Sequence, residues 1–245
     1  MDISTLFYLL LFVVAFLYAS VGHGGASGYL ALMALFSMAP AVMKPTALML
    51  NLFVSLTAFI QYYRAGHFSW RIFWPLALAS VPLAFLGGLV SIEASFYKKI
   101  LGLLLLLPVV RFLFFRHQDN VPLQPEKPLA AAGIGAGIGW LSGLIGIGGG
   151  IILSPVLLLL KWTNQKQTAA ISALFIFVNS LAGLLGQWQK GINFTPEMTY
   201  YVVIAFTGGL AGAYIGAIRL PQHAIRYALA LVLAVASVKL IFTSG

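Results

Sequence analysis

Ten apolar stretches, most of them 17 to 22 residues long, fill this chain and leave only short polar intervals. In the first half they cover about 4–20, 25–38, 44–63, 70–91 and 96–115. In the second half they cover about 129–145, 149–161, 167–188, 197–218 and 222–243. Runs near 20 apolar residues match the helical length that crosses a bilayer. The pattern therefore predicts an all-α integral membrane protein. A polar stretch from Arg116 through Asp119, Pro122, Pro125 and Glu126 to Pro128 reads as a linker. It divides the chain into a first transmembrane repeat (1–115), a cytoplasmic linker (116–128) and a second transmembrane repeat (129–245).

Two glycine-rich breaks interrupt the apolar pattern, one near the start of each half. The first is Gly22-His23-Gly24-Gly25 and the second Gly146-Ile147-Gly148-Gly149-Gly150. Leu, Ile, Val and Phe crowd both sides of each, so neither reads as a surface loop. Backbone polar groups opened at membrane depth cost several kcal/mol each unless protein or a wet cavity satisfies them. Paired interruptions at matching places in two halves are the sequence pointer to a transporter's substrate site. The flanking segments are short, so each pair is either two tilted crossings or a re-entrant hairpin.

Further matches support a duplication. Thr46/Ser172, Ala47/Ala173, Leu48/Leu174, Gln61/Gln187, Arg64/Lys190 and Phe68/Phe194 share one offset, and Gly22/Gly146, Gly24/Gly148 and Gly25/Gly149 a nearly equal one. Each half has five crossings, or three plus a hairpin. Both numbers are odd, so the repeats are expected to be inverted. Glycine series at 133, 135, 137, 139 and 143, and at 208, 209, 212 and 216, fit close helix packing.

Composition narrows the functional class. Apolar residues are 61% of the 245, charged residues 8%, and mean hydropathy is +0.98. Soluble domains carry about 25% charged residues. The first apolar run lacks a basic leader and an Ala-x-Ala cleavage site and reads as a retained segment. The net charge of +9 is scattered singly over short loops, as topology signals are, and does not suggest nucleic acid. Arg64, Arg71, Arg116, Lys127, Lys161, Lys166, Arg219 and Arg226 fall on one side, which the positive-inside rule makes cytoplasmic. Lys44, Lys98, Lys99, Lys190 and Lys239 fall on the other, and both termini are expected outside. Trp70, Trp74, Trp162 and Trp188 read as interfacial anchors.

Catalytic constellations are missing from the pattern. There is no cysteine. Asp2, Asp119, Glu93, Glu126 and Glu197 all lie at segment ends or in the linker. His23, His67, His117 and His223 have no metal-ligand spacing. The glycine runs lack the Lys-Ser/Thr of a phosphate-binding loop. No enzyme activity, cofactor or metal is expected.

Anion binding fits better. A helix that starts at a chain break points N–H groups and the positive end of its dipole at whatever lies before it. The helices beginning near Ala26 and Ile151 would offer two such starts. Candidate substrate-binding residues are His23, Gly24, Gly25, Thr46 and Asn51 in the first half, and Gly148, Gly149, Gly150, Ser172 and Asn179 in the second. Each also has a plain structural reading: the glycines as tight packing, the hydroxyls and amides as helix-to-helix hydrogen bonds, and His23 as a neutral residue satisfied by a carbonyl.

On Gly146-Ile147-Gly148-Gly149-Gly150 with Pro155, on Gly22-His23-Gly24-Gly25 and on Thr46/Ser172, the chain resembles the TauE/SafE family of sulfite and organosulfonate exporters. Segment number and length agree over essentially the whole chain. Ala26 where the second break has Gly150, and the unmatched His23, depart from a symmetric glycine pattern. The resemblance implies a carrier of small sulfur-containing or carboxylated anions in a bacterial-type inner membrane. With no nucleotide-binding module, it would be driven by a gradient, the membrane potential or a coupled ion. A passive anion channel and a membrane receptor or assembly protein are the alternatives; a homo-oligomer is left open.

Overall fold

Gly146 and Gly149 both adopt left-handed backbone, with φ of 90° and 79°, a region other residues enter only at about 1–2 kcal/mol. They bracket the second chain break and turn it back on itself. In the computed structural model, which describes residues 3–20, 25–114, 122–192, 195–219 and 222–242, ten α-helices and no strands occur among the described residues. They are α1 (Ile3–Ser20), α2 (Ala26–Leu35), α3 (Pro40–Arg64), α4 (Trp70–Leu89), α5 (Ala94–Phe114), α6 (Pro128–Ile145), α7 (Gly150–Leu159), α8 (Gln165–Trp188), α9 (Pro196–Arg219) and α10 (Gln222–Phe242).

These bounds follow the apolar runs closely. Helix lengths of 18, 10, 25, 20 and 21 residues in the first half are followed by 18, 10, 24, 24 and 21 in the second. α3, α4, α6 and α8 are long and apolar enough to cross a membrane. Their outward faces are apolar: Leu78 is 68% exposed and Leu185 47%, which suits a lipid solvent rather than water. α2 and α7, at 10 residues each, are about 15 Å long, half of a hydrocarbon core.

The helices gather into two compact units. One holds residues 1–54, 92–115 and 193–245, and the other 55–91 and 116–192. Each draws on both halves of the chain. The first contains α1, α2, α5, α9, α10 and the start of α3. The second contains α4, α6, α7, α8 and the end of α3.

Within the second unit, α6 and α4 lie backbone to backbone. A Cβ placed on Gly135, Gly139 or Gly143 would meet the main chain of Leu76, Ser80 or Ala84. The four-residue steps match on both helices, so the small residues form one continuous seam. Gly133 and Gly137 face open space and play no part in it. Gly88 of α4 meets Gly183 of α8 in the same manner. Within the first unit, Gly208 and Gly212 of α9 rest on the Phe12 and Phe16 carbonyls of α1. The side chains of Gly216's neighbourhood lie outside the described residues.

Both short helices end in the same cap. Ser37 and Lys161 are left-handed, with φ of 57° and 56°. Met38 N–H donates to Met33 O and Trp162 N–H to Leu157 O, at 3.0 and 3.1 Å. Ser37 N–H reaches Ala34 O, and Lys161 N–H reaches Leu158 O. This pair of bonds is a Schellman ending, repeated at the offset that pairs Gly25 with Gly149.

Candidate functional site

The geometry of α6 and α7 decides between crossing and hairpin. Gly149, the residue before α7, faces Ile138 of α6, and an added Cβ would come within 2.8 Å of its Cγ2. At the far end, Gln124 N–H donates to Lys161 O at 2.8 Å. The start of α6 and the end of α7 are therefore level, and α7 runs back along α6. Ile138 lies seven residues short of the end of α6, so α7 begins about 10 Å below that end, in the middle of the bundle. Trp162 is only 6% exposed and packs with Ile72, Phe73, Ala131 and Leu157 at the hairpin base. It is a core residue there, unlike Trp70, Trp74 and Trp188, which are exposed.

The first unit repeats the hairpin. Tyr18 of α1 and Ser27 of α2 join hydroxyls at 2.8 Å. The rings of Phe7 and Phe36 meet edge to face at 5.1 Å, so α2 returns towards the start of α1. Lys239 Nζ donates to Leu35 O at 2.6 Å and to Ser37 Oγ at 2.9 Å, closing the open end of α2 with a cation where the helix dipole is negative.

Residues 142–150 are all buried. Besides touching Ile138, Gly149 faces the Phe175 ring of α8, at 2.9 Å from an added Cβ, and Gly150 faces the Ile176 side chain. The start of α7 is thus wedged between α6 and α8, and the break serves packing as well as opening N–H groups. The first turn of α7 bonds back to Gly149: Ile152 and Leu153 N–H both reach its carbonyl, at 3.1 and 3.0 Å. The N–H groups that precede them have no carbonyl one turn back.

Ser172 is buried and paired to Ser154 at 2.9 Å between hydroxyl oxygens. Ser154 Oγ in turn donates to Gly150 O at 2.8 Å. Each hydroxyl has a single hydrogen. With that of Ser154 on Gly150 O inside α7, Ser172 is the donor between the two, so its hydrogen ties α8 to α7 and neither hydroxyl has a hydrogen to spare. Asn179 is fully buried. Its Nδ2 donates to Phe175 O at 2.8 Å, and its Oδ1 has no partner among the described residues. In the first unit, Gly25 caps α2 with an ordinary φ of −73°, unlike Gly149, its counterpart before α7. Thr46 and Asn51 are buried on α3, and Thr46 Oγ1 has no partner among the described residues. His23 and Gly24 lie outside the described residues. Gly148 has a φ of 70°. Ser142 and Ser154 are polar residues at the break that spacing did not single out.

Comparison with known proteins fits this architecture. The family model for the sulfite exporter TauE/SafE matches residues 7–240. This chain belongs to the TauE/SafE family. It is 38% identical over 238 residues to the probable membrane transporter protein y4hK of Sinorhizobium fredii, covering 94% of this chain and 95% of that one. A probable membrane transporter protein of Methanocaldococcus jannaschii is 26% identical over 143 residues, 57% of this chain and 53% of its own. No solved structure matches the chain. As a TauE/SafE protein with an apolar exterior, the molecule is an integral membrane transporter.

Proposed function

We propose that this TauE/SafE protein is a secondary carrier of small sulfur oxyanions, of the sulfite and sulfonate class, with small carboxylates as weaker ligands. It moves them outward across a bacterial-type plasma membrane by alternating access. The observation that carries the reading is the start of α7. It is a helix N-terminus held half-way along α6 by left-handed glycines and lined by buried polar side chains. Such a terminus attracts negative charge through N–H groups and the helix dipole. It needs no buried Lys or Arg, whose insertion at membrane depth is costly. In this reading Ser172 and Asn179 contribute polar lining at α7, and within the first unit α2 supplies a start of the same kind, with Thr46 and Asn51 as polar residues of α3.

Orientation rests on the second unit. Arg64, Arg71, Lys127, Lys161 and Lys166 all sit at its end where α6 begins, and Arg71 pairs with Glu126 there. Lys190 sits at the other end, bonded to Ser91. Positive-inside bias then puts the linker in the cytoplasm and the termini outside.

The test is ligand-induced stabilisation of the purified protein over sulfite, methanesulfonate, sulfate, thiosulfate and carboxylates, followed by flux in proteoliposomes. Stabilisation by sulfur oxyanions, with saturable uptake stimulated by the same ion on the opposite side, is expected. Stabilisation by none of them overturns the anion reading. Non-saturating flux without trans-stimulation makes the protein a channel.

A further inference from the structure

Two buried oxygens stand one turn beyond the start of α7, and their chemistry differs from that of the N–H groups below them. Gly149 is flanked by Ile138 of α6 and Phe175 of α8. In a helix, residues four apart lie on one face, one above the other. The residues four beyond those two are Ser142 and Asn179, on the same two faces and on the side where the break climbs back to Ile145. Both side chains are fully buried, and neither Ser142 Oγ nor Asn179 Oδ1 has a partner among the described residues. Buried polar atoms without partners are rare in native proteins and commonly mark a ligand or water position.

The amide of Asn179 cannot be turned round. Its other terminal atom lies 2.8 Å from Phe175 O, and only the NH₂ group can donate to a carbonyl. The terminal atom left without a partner is therefore the oxygen, which accepts and never donates. An oxyanion without hydrogens would satisfy the N–H groups of α7 and be repelled by this oxygen. A ligand with anionic oxygens at one end and an N–H or O–H at the other satisfies both. A bare cation would meet the oxygens but face the positive end of α7.

We propose that Ser142 and Asn179 form a polar subsite above α7 that selects monoanions carrying their own hydrogen-bond donor, such as hydrogen sulfite or an amino-substituted sulfonate, over donor-free oxyanions. This assignment rests on the anion reading above and deepens it. Ser142 donates to an anionic oxygen, and Asn179 Oδ1 accepts from the ligand's donor.

Sulfamate and methanesulfonate are monoanions of nearly equal shape that differ in an NH₂ or a CH₃ on sulfur. Equilibrium binding of each to the purified full-length protein tests the assignment. Wild type is expected to bind sulfamate at least tenfold more tightly. Asn179→Leu should bring the ratio to about one by losing sulfamate affinity alone. Ser142→Ala, which adds no volume, should weaken both probes several-fold and leave the ratio unchanged. A wild-type ratio near one, with both probes bound, overturns the subsite and leaves the anion reading standing, and this outcome needs no variant to fold. A ratio near one with sodium-dependent binding of both probes overturns it in favour of a cation at the same oxygens. Binding of neither probe, with no stabilisation by any sulfur oxyanion, overturns both readings together.

Discussion

A methyl group added along α6 meets two different surroundings. At Gly137 it enters open space, while at Gly139 it strikes the main chain of Ser80. Gly137→Ala should therefore raise stability by up to about 1 kcal/mol through helix propensity. Gly139→Ala should lower it by about 1–3 kcal/mol, since α4 must move away. Thermal unfolding of both variants in one detergent measures the difference, and equal shifts would deny the seam. Gly149→Ala adds left-handed strain, about 1–2 kcal/mol, to contact with Ile138 and Phe175, so it should destabilise more than Gly137→Ala in the same assay. The glycines were visible in the sequence as a series. Which of them touch was not, because spacing reports a face and not the neighbour on it. Ser142 and Ser154 escaped for a related reason: a single serine among glycines and aliphatics has no spacing of its own. Its environment gives it meaning only after α7 is seen to fold back.

Elements were more legible than contacts. Their limits follow from where apolar runs meet Gly, Pro and charge, and the ten runs match the ten helices among the described residues. The hairpin question stayed open in the sequence because a 10-residue run is consistent with a short tilted crossing as well as a returning arm. What resolves it is the level of Gln124 against Lys161 and of Phe7 against Phe36, both long-range facts. The α8 start shows the local chemistry well. Asn164 Oδ1 accepts from Gln167 N–H at 2.9 Å, and Gln167 Oε1 accepts from Asn164 N–H at 3.1 Å, a reciprocal cap. Asn164→Ala should cost about 1 kcal/mol. The loss should show as a lowered unfolding midpoint, with ligand affinity little changed, because this cap lies at the hairpin base and away from Gly149.

At the scale of the molecule, the proposed sidedness combines hairpins that return to their own end with three crossings in each half. Single cysteines at Gln124 and Glu93, in a chain that has none of its own, should label from opposite faces with an impermeant reagent: Gln124 from the cytoplasm and Glu93 from outside. Labelling of both from one side would break the topology.

The exchange of α4 between the halves has a consequence for biogenesis. α4 is made early, yet its seam of Leu76, Ser80 and Ala84 closes only on α6, and some 56 residues separate Leu89 from Ile145. At ordinary synthesis rates the ribosome needs roughly 3–10 s to supply that partner. During this interval a small-residue helix face waits in the bilayer for a helix still being translated. Residues 1–115 made alone should therefore be cleared by membrane proteases, and co-expression of residues 116–245 as a separate chain should rescue them.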